Sequence, residues 1–126
     1  MDFEYTIVND QVTITKYTGS SEDVTIPNEI EDLPVTTIGQ SAFTHNELIS
    51  IDLPQNLTTI SQWAFAENML TSINLPINIT TIGHEAFWGN KLTSIILPQN
   101  LTTIGKNAFY CNKLTSISLP QNLTTI

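Results

Sequence analysis

Aromatic residues at related spacings are the side chains in this sequence best suited to form a binding site. Trp88 and Tyr110 are 22 residues apart, and Trp63 lies 25 residues before Trp88, with Glu67 and His84 between the two tryptophans. Large rigid rings bury much area at small entropic cost, so tryptophan and tyrosine often dominate protein–protein interfaces. The sequence therefore predicts a binding surface made of these five residues.

The histidines and the cysteine show no spacing that is typical of catalysis. The chain has two histidines, His45 and His84, and one cysteine, Cys111. No carboxylate stands at a motif spacing from either histidine, as a nucleophile–base pair or a zinc site would require. A single cysteine also cannot form an internal disulfide. We expect no catalytic residue, no metal ligand and no cofactor.

The spacing of the aromatic residues belongs to a repeat with a period of 22 residues. The octapeptide LPQNLTTI occurs at 53–60, 97–104 and 119–126, and the variant LPINITTI occurs at 75–82. One unit has too few apolar residues for its own core, so each unit must stack on its neighbours as one rung of a solenoid. Residues one period apart then form columns along the stack.

Within a rung, the segment LTSINL at 70–75 predicts a short strand that buries alternate residues and is ended by Pro76. The following segment is expected to contain a helical turn through residues 85–87. The expected fold is a β-rich, right-handed solenoid. Each 22-residue repeat would contribute short strands and one helical or 3-10 turn.

Several columns are predicted to be structural, because buried backbone groups need amide partners and stacked rings fill a core. Asparagines 68, 90 and 112 are expected to bridge one corner of the rungs. The predicted buried asparagine ladder is Asn56, Asn78, Asn100 and Asn122, and the predicted aromatic spine is Phe43, Phe65, Phe87 and Phe109. Trp88 and Tyr110 share a third column, one rung apart, where their rings are expected to stack.

The N-terminal residues differ from the repeats and predict a cap. Residues 3–8 and 12–17 alternate apolar and polar side chains around the turn sequence NDQ, which is typical of a β-hairpin. We expect a hairpin cap at 1–22 and the solenoid at 23–126. The first repeat is longer by five residues, in an extra loop around 29–34, and the last repeat is truncated.

The charge distribution argues against several classes of partner. The net charge is −8, so no basic stripe exists to bind nucleic acid or an anionic membrane. The chain has no apolar run of membrane-spanning length and does not begin with a signal peptide. It stops at Ile126, inside a repeat. An open sheet edge recruits other chains, so we expect self-association through the C-terminal rung.

The repeat LTSIxLPxxLTTIGxxAFxxN, which fits residues 23–126, resembles the BspA-like or Treponema pallidum-type leucine-rich repeats. The period is 22 rather than the commoner 23, and asparagine stands at 46, 68, 90 and 112 where the family often has cysteine. The resemblance implies a secreted or cell-surface protein that acts as an adhesin or binding scaffold, without catalytic activity.

Two functions follow as hypotheses. The first is a non-catalytic, adhesin-like module that binds a protein partner, such as a host extracellular or surface protein. The second is a structural spacer or self-assembling segment without a ligand, in which the aromatic rings only pack against the edge of the solenoid.

Overall fold

A hairpin covers the first rung of the stack. The computed structural model describes residues 2–125 of the chain. Strands β1 (Phe3–Val8) and β2 (Gln11–Tyr17) pair antiparallel. Their turn residues, Asn9 and Asp10, have φ of 52° and 59°, a left-handed conformation that these two residue types adopt readily. Strand β2 pairs in parallel with a strand of the first rung, so the hairpin and the rungs share one sheet.

The first rung contains a second, smaller hairpin in place of the loop expected around 29–34. The strands of the first rung are β3 (Asp23–Thr25), β4 (Glu29–Ile30) and β5 (Leu33–Ile38). Glu31 and Asp32, both with positive φ, form the tight turn between β4 and β5, which pair antiparallel. The phenol of Tyr5 in β1 donates a hydrogen bond of 2.6 Å to the Glu31 carboxylate, which ties the cap to this hairpin.

Regular rungs follow at 48–69, 70–91 and 92–113, and their strands align by the repeat period. Strands β7 (Thr59–Ile60), β8 (Thr81–Ile82) and β9 (Thr103–Ile104) pair in parallel with one another, and β7 pairs with β5. Each threonine and each isoleucine faces the residue one period away. The in-register ladder therefore stacks like side chains on like, with the isoleucines buried.

The strand predicted at 70–75 is not found. The segment before each Leu-Pro pair forms a strand only at β6 (Ser50–Asp52), which pairs with β3. Among the described residues of the next rungs, 72–75 and 94–97 carry no strand pairing. Burial still follows the predicted pattern, because Leu70 and Ile73 are buried and Leu75 is half-buried. We call the surface formed by these segments the strand side.

The predicted helical turn at 85–87 is also not found. The described part of the chain contains no helix, and the segments 39–46, 61–68, 83–90 and 105–112 are successive turns, which we call the return segments. Glu85 has a φ of 55°, and its N–H donates to Lys106 in the next rung at 2.9 Å. The Phe87 N–H likewise donates to Ala108 at 2.8 Å. These N–H groups bond between rungs, so they cannot form the i to i−4 bonds of a helix.

Stacked aromatic rings fill the core beside the return segments. Phe43, Phe65, Phe87 and Phe109 lie in one column, with centroids 5.1, 5.4 and 5.6 Å apart. Tyr17 of the cap extends this stack at 5.4 Å from Phe43. The Tyr17 ring of the cap therefore covers Phe43 in the way that the phenylalanine of another rung would.

Candidate functional site

The return segments hold two columns of residues in left-handed backbone conformation. Each segment has one such residue directly before its Ala-Phe pair, and another two residues after that pair. The first column is Ser41, Trp63, Glu85 and Asn107, and the second is His45, Glu67, Gly89 and Cys111. Bulky side chains are rarely found with positive φ, because their Cβ approaches the backbone too closely. Trp63 is thus an outlier held in place by the stack.

Hydrogen bonds between rungs fix this conformation. The N–H groups of Trp63, Phe65 and Glu67 donate to carbonyl oxygens of the next rung at 3.0, 2.8 and 2.7 Å. The intervening N–H groups of Ala64 and Ala66 fold back onto carbonyls three residues earlier. Every second N–H therefore joins neighbouring rungs, which gives the return segments a rigid backbone on which side chains can be placed accurately.

The structure brings Trp63 and Trp88 together. Their ring centroids are 5.8 Å apart, with the planes at 62°, so one ring meets the other edge to face. Both rings are half-buried. The residue in the column of Trp88 one rung earlier is Ala66, whose small side chain leaves room for the indole to reach Trp63. We call this pair the tryptophan corner.

The predicted stacking of Trp88 on Tyr110 is wrong. Within residues 2–125 the ring of Trp88 makes its aromatic contact with Trp63, and Tyr110 makes none. Tyr110 is 61% exposed in the next rung. The shared column placed the two backbones one rung apart, but it did not determine towards which neighbour the indole leans.

Glu67 and His84, the remaining predicted binding residues, both make specific polar contacts. The imidazole Nε2 of His45 contacts the Glu67 carboxylate, and both residues remain partly exposed. Nδ1 of His84 accepts a hydrogen bond of 2.7 Å from the backbone N–H of Lys106. This bond orients the imidazole ring of His84 towards the backbone of the next rung. Glu67 borders the tryptophan corner, because it follows Ala66 directly.

The predicted buried ladder of Asn56, Asn78, Asn100 and Asn122 is wrong. All four residues are exposed, and the bonds of Asn100 and Asn122 to the preceding rung are long, at 3.3 and 3.2 Å. Water reaches the backbone after the Leu-Pro pair, so no buried amide is needed there. The buried ladder is the other asparagine column. Asn68 and Asn90 are 5% and 4% exposed and bind backbone groups of their own and neighbouring rungs.

Two isoleucines outside the return segments are exposed. Ile96 on the strand side is 87% exposed, and Ile77, directly after Pro76, is 68% exposed. Both depart from the repeat, since Asn74 occupies the column of Ile96 and Gln99 occupies that of Ile77. The outward direction of Ile96 follows from its column in the sequence, whereas Ile77 was missed, and comparing its column with the repeat consensus would have found it.

The match to a known family covers most of the chain. Residues 36–126 match the BspA type leucine rich repeat region, in six copies. The chain belongs to the BspA-type leucine-rich repeat family. The predicted resemblance is thereby confirmed. No curated protein sequence matches the chain at a significant level.

Solved structures of leucine-rich repeat proteins are similar to this chain in fold. The T. pallidum leucine rich repeat protein is 25% identical with a TM-score of 0.73, covering 98% of this chain and 78% of that one. A leucine-rich repeat protein from Bacteroides capillosus is 23% identical with a TM-score of 0.76, covering 92% of both chains. A leucine rich cell surface protein from Faecalibacterium prausnitzii is 22% identical, with a TM-score of 0.62, covering 99% of this chain and 48% of that one. These matches confirm the leucine-rich repeat solenoid.

The structure also bears on membrane spanning and on self-association. No helix within residues 2–125 has the length and apolarity needed to cross a bilayer. Ile126, at the predicted self-association edge, lies outside the described residues, so self-association through the last rung stays a prediction.

Proposed function

We propose that this BspA-type chain is a non-catalytic protein-binding module whose binding surface is centred on the tryptophan corner. One observation carries the proposal, namely a half-buried tryptophan pair in which Trp63 occupies a left-handed backbone position. That conformation costs a non-glycine residue roughly 1–2 kcal/mol. Asn107 fills the same column with a residue type that tolerates positive φ. A strained aromatic residue at a surface is typical of a site kept for binding.

The partner proposed is an extracellular or surface protein of a host, which would make the chain adhesin-like. The similarity in fold to a cell surface protein from F. prausnitzii supports a secreted or surface location. Tyr110 extends the surface into the following rung, while His84 lies in the rung of Trp88 and Glu67 in the rung of Trp63. The rigid return segments would present this surface without ordering on binding, which lowers the entropic cost of association.

The experiment is a pull-down from a panel of purified extracellular-matrix and epithelial surface proteins. The bait is the wild-type chain or the double variant Trp63→Asn/Trp88→Ala. Each replacement copies a residue found in the same column, Asn107 or Ala66, so the variant should fold like the wild type. A matched control, Ile96→Ser, removes a large exposed side chain from the strand side. Circular dichroism checks that all variants are folded.

A partner retained by the wild type and by Ile96→Ser, but lost by the double variant, would support the proposal. A partner lost only by Ile96→Ser would move the binding surface to the strand side. Retention of no protein by the wild type would favour a structural spacer.

A further inference from the structure

Part of the aromatic surface of the tryptophan corner is not in contact with the partner indole. In an edge-to-face pair, the ring that offers its edge keeps both of its faces free of its partner. The two centroids are 5.8 Å apart at 62°, and both rings are only half-buried, so part of this free surface faces solvent. The face of an indole carries negative electrostatic potential and attracts cations.

Two glutamates lie next to the corner in the stack. Glu85 lies in the column of Trp63, one rung further on, and the Trp63 N–H bond to the His84 carbonyl, at 3.0 Å, holds the two rungs in register. Parallel neighbouring strands are about 4.8 Å apart, so the Glu85 backbone is a close neighbour of the corner. Glu67 lies in the rung of Trp63 and follows Ala66, which shares the column of Trp88.

The Glu67 side chain lies over Gly89 of the next rung. Gly89 follows Trp88 and shares the column of Glu67, and a Cβ added to Gly89 would lie 3.4 Å from the Cγ of Glu67. The Glu67 carboxylate contacts His45 through Oε2. Its Oε1 takes part in no ion pair among the described residues, so it can accept a hydrogen bond from a ligand group.

The charges at the corner favour a cation. Within residues 2–125 the ion pair formed is that of His45 with Glu67, and Glu85 takes part in none. An anionic partner would meet negative ring faces and two carboxylates, whereas a guanidinium can stack on indole and bind carboxylate at the same time.

We propose that the tryptophan corner binds the cationic side chain of a basic peptide segment, with arginine preferred to lysine. Trp63 and Trp88 would contact the flat guanidinium, and Glu85 and Glu67 would accept its hydrogen bonds. This inference rests on the proposed function, because it names the chemistry by which a protein partner would be recognised.

The test uses the intrinsic fluorescence of the chain, whose two tryptophans are Trp63 and Trp88. The probes are an arginine-containing peptide and the same peptide with citrulline in place of each arginine. We expect a saturable change in indole emission with the arginine peptide. The citrulline peptide should bind about tenfold more weakly, the size of a partly desolvated cation–π contact.

Variants separate the corner from the overall negative charge. Calorimetry should show that Trp88→Ala abolishes binding of the arginine peptide. Glu85→Gln should weaken it about fivefold, as the loss of one partly exposed charge pair would. Glu29→Gln removes an equal charge from β4 of the first rung, outside the return segments, and should leave the dissociation constant unchanged.

Three outcomes would overturn the inference: no saturable binding of the arginine peptide, equal binding of the citrulline peptide, or undiminished binding by Trp88→Ala. Loss of the cation preference does not remove the proposed function, which the pull-down tests separately. A protein partner that depends on the corner, combined with equal binding of both peptides, would keep the binding module and reject the cationic ligand. A preference for arginine without a matrix partner would keep the cation site and reject the matrix partner.

Discussion

The two asparagine columns of the repeat occupy different corners of each rung and have opposite environments. Asn90 lies at the end of a return segment and is 4% exposed, whereas Asn78 follows a Leu-Pro pair and is exposed. The Asn90 amide accepts a bond from the Leu70 N–H at 3.1 Å and donates to the carbonyls of Phe65 and Phe87 at 2.9 and 3.1 Å. Asn78 takes part in no such network among the described residues.

The difference shows that invariance within a repeat does not reveal why a residue is kept. At the buried corner, backbone groups of two rungs are enclosed beside the phenylalanine stack, and water cannot satisfy them. At the exposed corner, water serves the same groups. The buried amide column and the hydrogen-bonded return segments thus provide much of the cohesion between rungs, and surface asparagines add little.

Replacing the two asparagines in turn should give the largest contrast. Asn90→Ala leaves one N–H and two carbonyl groups without a side-chain partner, so we expect a loss of about 3 kcal/mol in the free energy of unfolding. Asn78→Ala should cost less than about 0.5 kcal/mol, as is usual for surface substitutions. Urea denaturation followed by circular dichroism measures both. Equal losses would show that the exposed column is as important to the stack as the buried one.

A methyl group placed between rungs should have the next largest effect. A Cβ at Gly83 would lie 2.6 Å from the backbone nitrogen of Gln62, so Gly83→Ala must push two rungs apart. It would also stretch the bond from the Gly83 N–H to the Ile60 carbonyl, now 2.7 Å. We expect Gly83→Ala to lower the free energy of unfolding by about 2 kcal/mol, which is typical of overpacking.

The control is Ser61→Ala, which alters a residue of the same column that already has a Cβ. Urea denaturation should give this variant a free energy of unfolding within about 0.5 kcal/mol of that of the wild type. If Gly83→Ala were as stable as Ser61→Ala, the close approach of the rungs at Gly83 would not limit stability.

The repeat period predicted the alignment of the rungs correctly. A fixed period forces residues one unit apart into the same column, which the pairing of Thr59 with Thr81 and of Thr81 with Thr103 shows. DVTIP at 23–27 matches SIDLP at 50–54 with five residues more than one period between them, and β3 pairs with β6 in the register of this match. Register is a property of the sequence spacing, so spacing alone could predict it.

Side-chain direction and backbone conformation within the return segments could not be predicted in the same way. Tryptophan and glutamate seldom adopt positive φ, so Trp63 and Glu85 conceal the left-handed turn that the stack imposes on them. The signal was present elsewhere in the two columns, at Asn107 and Gly89, whose types favour that conformation. The residues of a column that tolerate positive φ therefore reveal the backbone conformation that all residues of that column adopt.

The smallest expected effect concerns the exposed hydrogen bond between Tyr5 of the cap and Glu31, where water competes with the carboxylate for the phenol. The hydrogen bond from the Tyr5 phenol to the Glu31 carboxylate raises the pKa of Tyr5 above its usual value of about 10. Partial burial and the negative charge of Glu31 act in the same direction. The folded pKa exceeds the unfolded one, so the contact stabilises the cap fully below the unfolded pKa. The stabilisation is lost as the pH rises through the folded pKa.

An ultraviolet titration of tyrosine ionisation tests this contact in a chain with three tyrosines. In the wild type, the Tyr5 component should ionise above the usual pKa of a tyrosine. Glu31→Gln should move that component towards the usual range, and Tyr5→Phe should remove it. Identical titration curves for the wild type and Glu31→Gln would mean that water replaces the carboxylate at no cost. The cap would then be held to the first rung by the pairing of β2 with β5 and by its buried contacts.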